Sequence, residues 1–248
     1  MSRIVLTAAS RVGCVRSNNE DMVLAYDKLL RSDAYATEFM TENTDRFAIA
    51  VADGMGGHNA GEVASSDTLS NLQYFINDLP GGLAIGEFDE MLMMWLQSIN
   101  QIIASKGHVN PSMAEMGTTL VGFIYYNHKY SWLNCGDSRL YRLRNGQLRQ
   151  LSTDHSLNNV NGEKKHSNIL TNCIGAGCKN SYMDLFEFTA DVLTGDTYLL
   201  CSDGLNDMVS DKDLEQLLND GASANRLCEA AIQAGGYDNV SACVFTLA

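Results

Sequence analysis

The sequence predicts an α+β protein with a central antiparallel β-sandwich flanked by pairs of α-helices, in four layers α-β-β-α. Two observations predict this class. Short runs rich in β-branched and aromatic residues follow one another, with tight-turn signals such as Asn127-His128 and Asn145-Gly146 between them. Two pairs of helical segments interrupt these runs, and the apolar face of each helix needs a sheet surface to cover.

Ten segments are predicted as strands because of their β-branched and aromatic content. They are 3–10, 22–26, 46–52, 118–126, 129–135, 139–144, 147–151, 182–189, 196–201 and 239–247. Apolar residues at helical spacing predict a first helix pair over 59–78 and 87–105, and a second over 211–220 and 222–234. Since no repeat or Pro-, Ser- or Gly-rich linker interrupts the pattern, we expect a single domain over 1–248.

Composition and charge restrict the class of function. Hydrophobic residues make up 45% of the 248 positions, which is enough for a large core. The formal net charge of −13 disfavours binding to nucleic acid or to an anionic membrane surface. The most basic segment, 139–150, alternates like a pair of strands with a solvated face. No apolar run approaches the roughly 20 residues that a membrane span requires.

The seven cysteines predict a reduced, cytoplasmic protein. None of them forms a CxxC pair, and neither a second pair nor a nearby histidine accompanies Cys173 and Cys178, so structural zinc is not expected. The N-terminal apolar run is too short for a signal peptide.

Acidic residues recur where an apolar strand meets a loop, often beside glycine. They lie at five points of the chain: Glu20-Asp21, Asp53, Asp137, Asp203 and Asp238. Each one alone is most often a turn residue or a helix cap. Several carboxylates converging on one place would repel each other unless a cation lay between them. Oxygen ligands of this kind suit hard ions such as Mg²⁺ and Mn²⁺.

The stretch VADGMGGHNAGE at 51–62 therefore predicts one wall of an oxygen-lined metal site. The glycine after Asp53 lets a main-chain carbonyl join the ligands. A two-metal site activates a bridging water and clamps a phosphoryl group, which also needs a cation for its oxygens. Arg16, close to Glu20, has the fork geometry to bind phosphate, although a surface ion pair is the alternative for this residue.

Six ordered segments connect these residues to a known family. They are GCVRSNNED (13–21), VADGMGGHNAGEVAS (51–65), GTTLVG (117–122), NCGDSRLYRLRNGQLRQLSTDHS (134–156), LLCSDGL (199–205) and YDNVSACV (237–244). Together they resemble the metal-dependent Ser/Thr protein phosphatases of the PPM (type 2C) class, in their compact bacterial form. Six blocks in one order over nearly the whole chain are far more specific than a single short motif. The resemblance implies the same β-sandwich with flanking helix pairs.

The resemblance also implies a core site for two Mn²⁺ or Mg²⁺ ions. Asp53 would bridge the two ions. Glu20 and the main-chain carbonyl of Gly54 would complete the protein ligands of one ion. Asp203 and Asp238 would complete those of the other.

Further roles follow from the same motifs. Asp137 and Asp203 match positions that hold a third ion in bacterial members. Asp21 would orient a metal-held water from outside the ligand shell, and Arg16 would bind the substrate phosphate. His58 matches a histidine that is a candidate general acid for the leaving seryl or threonyl oxygen, although a water could also supply that proton.

The implied activity is hydrolysis of phosphoserine and phosphothreonine in proteins, by attack of a metal-bridging water on phosphorus and without a phosphoenzyme. The expected partners are phosphorylated proteins and a bacterial Ser/Thr kinase pathway that the enzyme reverses, and the expected state is a monomer. Two alternatives stay open: a pseudophosphatase that binds a regulator without turnover, and a hydrolase of small phosphoesters. The flap near 157–167 is shorter than in most bacterial relatives, so substrate preference does not carry over.

Overall fold

The computed structural model describes residues 2–56, 60–157 and 169–248. The strands are β1 (Arg3–Arg11), β2 (Met22–Ala25), β3 (Lys28–Leu30), β4 (Ala34–Met40), β5 (Arg46–Ala52), β6 (Gly54–Met55), β7 (Gly117–Thr118), β8 (Leu120–Tyr126), β9 (Lys129–Cys135), β10 (Arg139–Arg144), β11 (Gln147–Gln150), β12 (Ile174–Gly175), β13 (Asp184–Glu187), β14 (Thr197–Cys201) and β15 (Val240–Leu247). The helices are α1 (Ala60–Asp78), α2 (Ile85–Val109), α3 (Asp203–Asn206), α4 (Asp211–Asn219) and α5 (Ala224–Gln233).

Two large antiparallel sheets form the sandwich. The strand order is β11-β10-β14-β15-β1-β4 in the first sheet and β13-β9-β8-β5-β2-β3 in the second. Aromatic side chains fill the space between the sheets. The ring of Phe123 lies 4.7 Å from that of Phe245 and 5.1 Å from that of Tyr198, measured between centroids, and all three are fully buried. Burial of each such side chain contributes about 1.5–3 kcal/mol.

Each helix pair covers the outer face of one sheet, which confirms the predicted four layers. On the second sheet, α1 and α2 bury Leu69, Leu72 and Trp95 against β5 and β8. On the first sheet, α4 and α5 bury Leu214 and Leu227. None of the helices in the described part of the chain is long and apolar enough to cross a membrane.

Local sequence explains where the second helix pair begins. Ser210 precedes α4 and Ser223 precedes α5. Each hydroxyl accepts a hydrogen bond from the main-chain N–H of the residue three positions later in the chain. A serine in this position satisfies a donor that the helix itself leaves free. Gly235-Gly236 follows α5 and turns the chain toward Asp238 at the start of the last strand.

The hairpin predictions are confirmed at both turns. Asn127 and His128 join β8 to β9, and Asn145 and Gly146 join β10 to β11, all with positive φ angles. This conformation matches the twist of the flanking strands. The basic segment 139–150 is the predicted pair of strands.

Some strand boundaries differ from prediction. The single strand expected over 118–126 is two strands, because Gly117–Thr118 pairs with Gly54–Met55 in a small third sheet whose order is β12-β7-β6. The strand expected over 182–189 is limited to Asp184–Glu187, the residues that pair with β9 at the sheet edge. The edge strand β4 was not predicted, since its side chains alternate between exposed and half-buried positions without a fully buried face.

Candidate active site

A cleft with a volume of about 460 Å³ opens where the ends of several strands meet. Its lining is Arg16, Glu20, Asp53, Gly54, Met55, Gly56, Thr119, Asp137, Leu170, Asp203 and Asp238. The structure therefore brings together every residue that the sequence nominated as a metal ligand, and Arg16 with them. Asp21 is fully buried and is not part of the lining.

Asp53 follows the buried strand β5 and is fixed through its main chain. Its N–H donates to Thr119 Oγ1 at 3.0 Å, and its carbonyl accepts from the Thr119 N–H at 2.9 Å. The carbonyl also accepts from Thr118 Oγ1 at 2.8 Å. These bonds use only main-chain atoms of Asp53, so its carboxylate remains available to line the cleft.

Gly54 and Glu20 meet the first turn of α1 at very short range. A Cβ on Gly54 would lie 2.2 Å from the carbonyl oxygen of Gly61 and 2.4 Å from that of Glu20, so only glycine fits there. The Gly61 N–H donates to the Glu20 carboxylate, and the Ser65 hydroxyl donates to the Glu20 carbonyl at 2.5 Å. The helix N-terminus thus stabilises an acid at the rim of the cleft.

Asp203 approaches Asp53 from the first sheet, and Asp21 lies just before β2, the neighbour of β5 in the second sheet. Asp203 begins α3 directly after β14, and its charge, after burial and the charge of Asp21, helps to raise the pKa of Asp53. Asp21 accepts from the Ser202 hydroxyl at 2.8 Å and also from Ser241. The Oδ1 atoms of Asp21 and Asp203 are buried and have no hydrogen-bond partner among the described residues.

Asp137 reaches the cleft from the end of β9 on a braced loop. The Gly136 N–H donates to Nδ1 of His155 at 3.1 Å, and the His155 N–H donates back to the Gly136 carbonyl at 2.9 Å. Because Nδ1 accepts, the proton of the neutral ring is on Nε2, which lies 3.1 Å from Asp184. The histidine of the STDHS segment therefore positions Asp137.

Arg16 lies exposed at the mouth of the cleft, beside a proposed metal ligand. Its Nη2 is 2.7 Å from Oδ2 of Asp238, and the side chains are 54% and 36% exposed. The hydrogen bond and the charge of Asp238 raise the pKa of the guanidinium. The ion pair that the sequence left open thus exists, and it joins two residues of the same site.

The carboxylates of the cleft are shifted toward their protonated forms. Burial, followed by the charges of neighbouring acids, raises the pKa of Asp203 to about 6 and that of Asp137 to about 7. Burial likewise raises the pKa of Asp21 to about 7 and holds that of Asp53 well above its ordinary value. The site carries more negative charge than its own surroundings can stabilise.

The donor set fits hard divalent cations. All nominated ligands are oxygen atoms, and Oδ1 of Asp203, which no described residue contacts by a hydrogen bond, is a buried acceptor that a cation would satisfy. Within residues 2–56, 60–157 and 169–248, no three Asp, Glu, His or Cys side chains are already gathered into a metal-binding group. The five acids line one cleft but approach it from different strands and loops, and a cation among them would relieve their mutual repulsion.

Several supporting residues received no role from the sequence. Thr119, Ser202, Ser241 and Asn239 hold the acids through the hydrogen bonds described above or through contacts with the segment 12–20. Each lies inside one of the quoted segments: Thr119 in 117–122, Ser202 in 199–205, and Asn239 and Ser241 in 237–244. That placement is a weak signal, because the contacts themselves join distant parts of the chain.

Two predictions lie outside the described residues. His58 is one of the positions between Gly56 and Ala60, and the proposed short flap at 157–167 is described only at residue 157. The described cysteines are all free thiols.

Comparison with known proteins gives consistent matches. The family model described as protein phosphatase 2C matches residues 25–233. Serine/threonine protein phosphatase PstP of Mycobacterium tuberculosis is 34% identical over 98% of this chain and 46% of its own length, so the chain spans about half of that relative. Serine/threonine phosphatase stp of Listeria innocua is 34% identical over 81% of this chain and 84% of its own length.

A solved structure supports the same relationship. The catalytic domain of PstP in complex with two manganese ions superposes with a TM-score of 0.76 at 33% identity, over 98% of this chain and 99% of that one. The likeness therefore covers the sandwich, both helix pairs and the strand ends that form the cleft.

Proposed function

Because this chain belongs to the protein phosphatase 2C family, we propose that it is a metal-dependent protein serine/threonine phosphatase. The observation that carries this proposal is the convergence of five acidic residues on one cleft beside an exposed arginine. The names of the relatives agree with the activity that the sequence predicts. Residues 1–248 would form one catalytic domain with a shortened flap.

We assign the metal ligands as the sequence suggested. Asp53 would bridge two Mn²⁺ or Mg²⁺ ions, with Glu20 and the Gly54 carbonyl on one side and Asp203 and Asp238 on the other. A third ion would take Asp137 and Asp203. Bound divalent cations would neutralise phosphoryl oxygens and lower the pKa of water in the site. The two-manganese complex of PstP supports the assignment of the core ions.

The other residues act through charge and hydrogen bonds. Arg16 would bind the substrate phosphate with its guanidinium fork, exchanging its contact with Asp238 for one with phosphate oxygens. Asp21, fixed by Ser202 and Ser241, would accept a hydrogen bond from water and orient it for attack. His58 would donate a proton to the leaving seryl or threonyl oxygen.

The proposed substrates are phosphorylated proteins. A bacterial Ser/Thr kinase pathway would produce them in the cytoplasm, where the enzyme would act as a monomer. The net charge of −13 favours encounter with basic partners. Small phosphoesters are the competing substrate class.

The test is phosphate release from a phosphothreonine peptide by metal-stripped protein, with and without added Mn²⁺ or Mg²⁺. We expect release only with metal, and a kcat/KM for the peptide well above that for glycerol phosphate. Comparable turnover of both substrates would favour the small-phosphoester alternative. Folded protein that is inactive with every metal would overturn the proposal in favour of a pseudophosphatase.

A further inference from the structure

The segment 12–20 carries Arg16 and Glu20 but has no regular secondary structure of its own. It connects the end of β1 at Arg11 to the acids that precede β2, and residues 14–17 are exposed. Its position therefore depends on contacts with the rest of the protein. Since it presents the proposed phosphate-binding guanidinium, whatever holds this segment sets the geometry of phosphate binding.

The side chain of Asn239 binds the segment at three points. Its Nδ2 donates to the carbonyl oxygens of Val12 at 3.0 Å and Asn18 at 2.8 Å. Its Oδ1 accepts from the N–H of Glu20 at 2.8 Å. Asn239 is only 4% exposed, and these three bonds occupy both amide donors and the carbonyl.

Other contacts place the same segment on the turn that precedes Asn239. The Cys14 N–H donates to the Gly236 carbonyl at 2.7 Å. A Cβ on Gly13 would lie 2.2 Å from the Asp238 carbonyl oxygen, so the two backbones are in direct contact. Arg16 pairs with the Asp238 carboxylate, whose other oxygen accepts from the Asn239 N–H at 2.8 Å.

We propose that Asn239 is a positioning residue, which fixes Arg16 and Glu20 relative to Asp238 and so sets how tightly the substrate phosphate is bound. The inference rests on the proposed function, because it takes Arg16 to be the phosphate-binding residue. An asparagine supplies both donors and the acceptor. Aspartate in its place keeps only the acceptor, and it puts a charge beside two carbonyl oxygens.

The first experiment measures hydrogen exchange in metal-free protein and does not depend on turnover. The variants are Asn239→Ala and Asn239→Asp, with Asn100→Ala as the matched control. Asn100 also braces main chain, since its Nδ2 donates to the Cys178 carbonyl and its Oδ1 accepts from the Gly175 N–H. We expect amide exchange in the peptide covering 12–21 to accelerate at least about tenfold in both Asn239 variants and to stay unchanged in Asn100→Ala.

Either Asn239 variant suffices if the other does not fold. Unchanged exchange over 12–21 in a folded Asn239 variant would overturn the proposal. Acceleration in Asn100→Ala equal to that in the Asn239 variants would do the same, because it would reflect general loosening.

The second experiment is a double-mutant cycle between Arg16→Ala and Asn239→Ala, measured as kcat/KM for a phosphothreonine peptide with Mn²⁺. We expect Asn239→Ala alone to lower kcat/KM about tenfold, mainly through KM, and to have a much smaller further effect, limited to the loss at Glu20, once Arg16 is absent. Losses that multiply would show that Asn239 does not act through Arg16. If the wild-type protein has no turnover, the proposed function fails, and hydrogen exchange still decides whether Asn239 holds the segment.

Discussion

An aspartate lies at each end of strand β14, and the two carboxylates differ in whether neighbouring groups neutralise their charge. Asp196, before the strand, is 1% exposed and is gripped by Arg144, with both oxygen contacts at 2.6 Å. It also accepts from the Leu193 N–H and the Tyr198 hydroxyl. Asp203, after the strand, faces other acids, and no residue in the described part of the chain forms a hydrogen bond with its Oδ1.

The pKa values of the two residues move in opposite directions. Burial alone would raise the pKa of Asp196, but Arg144 and the hydrogen bonds lower it below the ordinary value. Burial raises the pKa of Asp203 to about 6, and the charges of Asp207 and Asp238 add to the rise. A buried acid that its own protein neutralises is structural, whereas one left unneutralised is suited to a cation.

Replacing the unneutralised acid should give the largest effect. We expect Asp203→Asn to lower phosphatase activity on the order of 10³-fold, because it removes a shared metal ligand. The same change should leave the metal-free protein at least as stable as wild type, since it removes a repelling charge. Turnover in Mn²⁺ and urea unfolding measure the two effects. Near-wild-type activity would show that Asp203 holds no essential ion.

Replacing the neutralised acid should reverse this pattern. Asp196→Asn breaks a buried ion pair and leaves Arg144 without its partner, so we expect a loss of about 3 kcal/mol in the free energy of unfolding. The kcat/KM of the remaining folded protein should stay close to wild type. Urea unfolding followed by circular dichroism measures the loss. A variant as stable as wild type would mean that the ion pair contributes no net stability.

The pH dependence of the metal-free protein should sharpen the comparison. Raised pKa values at Asp203 and Asp137 mean that the folded protein holds more protons than the unfolded chain from about pH 4 to about pH 7. Stability from these groups is present at low pH and is lost as pH rises through their folded pKa values. We expect Asp203→Asn to reduce the fall in unfolding free energy between about pH 4 and about pH 8 by roughly 2 kcal/mol. An identical fall in wild type and variant would refute the shift at Asp203.

The smallest expected effect is at His58. We expect His58→Ala to slow turnover by about tenfold, because water can replace the histidine as proton donor. Mn²⁺ affinity, measured by calorimetry, should be unchanged in this variant. A loss as large as that of Asp203→Asn, with metal binding intact, would make His58 an essential acid.

Much of the fold followed from patterns that are local in the chain. Buried strands such as β5 and β8 are continuous apolar runs, and the Asn145-Gly146 turn fixes its hairpin by itself. The strand β4 was not predicted, because the side chains of this edge strand are exposed or half-buried and show no strong alternation between apolar and polar residues. The strand β7 was merged with β8, because only its pairing with β6 shows that the chain changes sheets at Thr119.

The acidic residues of the site were predictable from the sequence, but the residues that hold them in place were not. Carboxylates at strand ends are visible in sequence, and an antiparallel sandwich brings such ends together. The hydrogen bond from the Glu20 N–H to Asn239 joins positions 219 residues apart, and no local pattern marks it. The neutralisation of Asp196 depends on Arg144 in the same way, so sequence alone did not separate the two ends of β14.

The central claim is that the acidic cleft binds divalent cations because the protein does not neutralise it. Calorimetric titration of Mn²⁺ into metal-free protein at about pH 6.5, in two buffers of different ionisation enthalpy, tests it most directly. We predict at least two ions per chain and release of protons on binding, since acids with raised pKa values must ionise to become ligands. Folded protein that shows no saturable Mn²⁺ binding would contradict the claim.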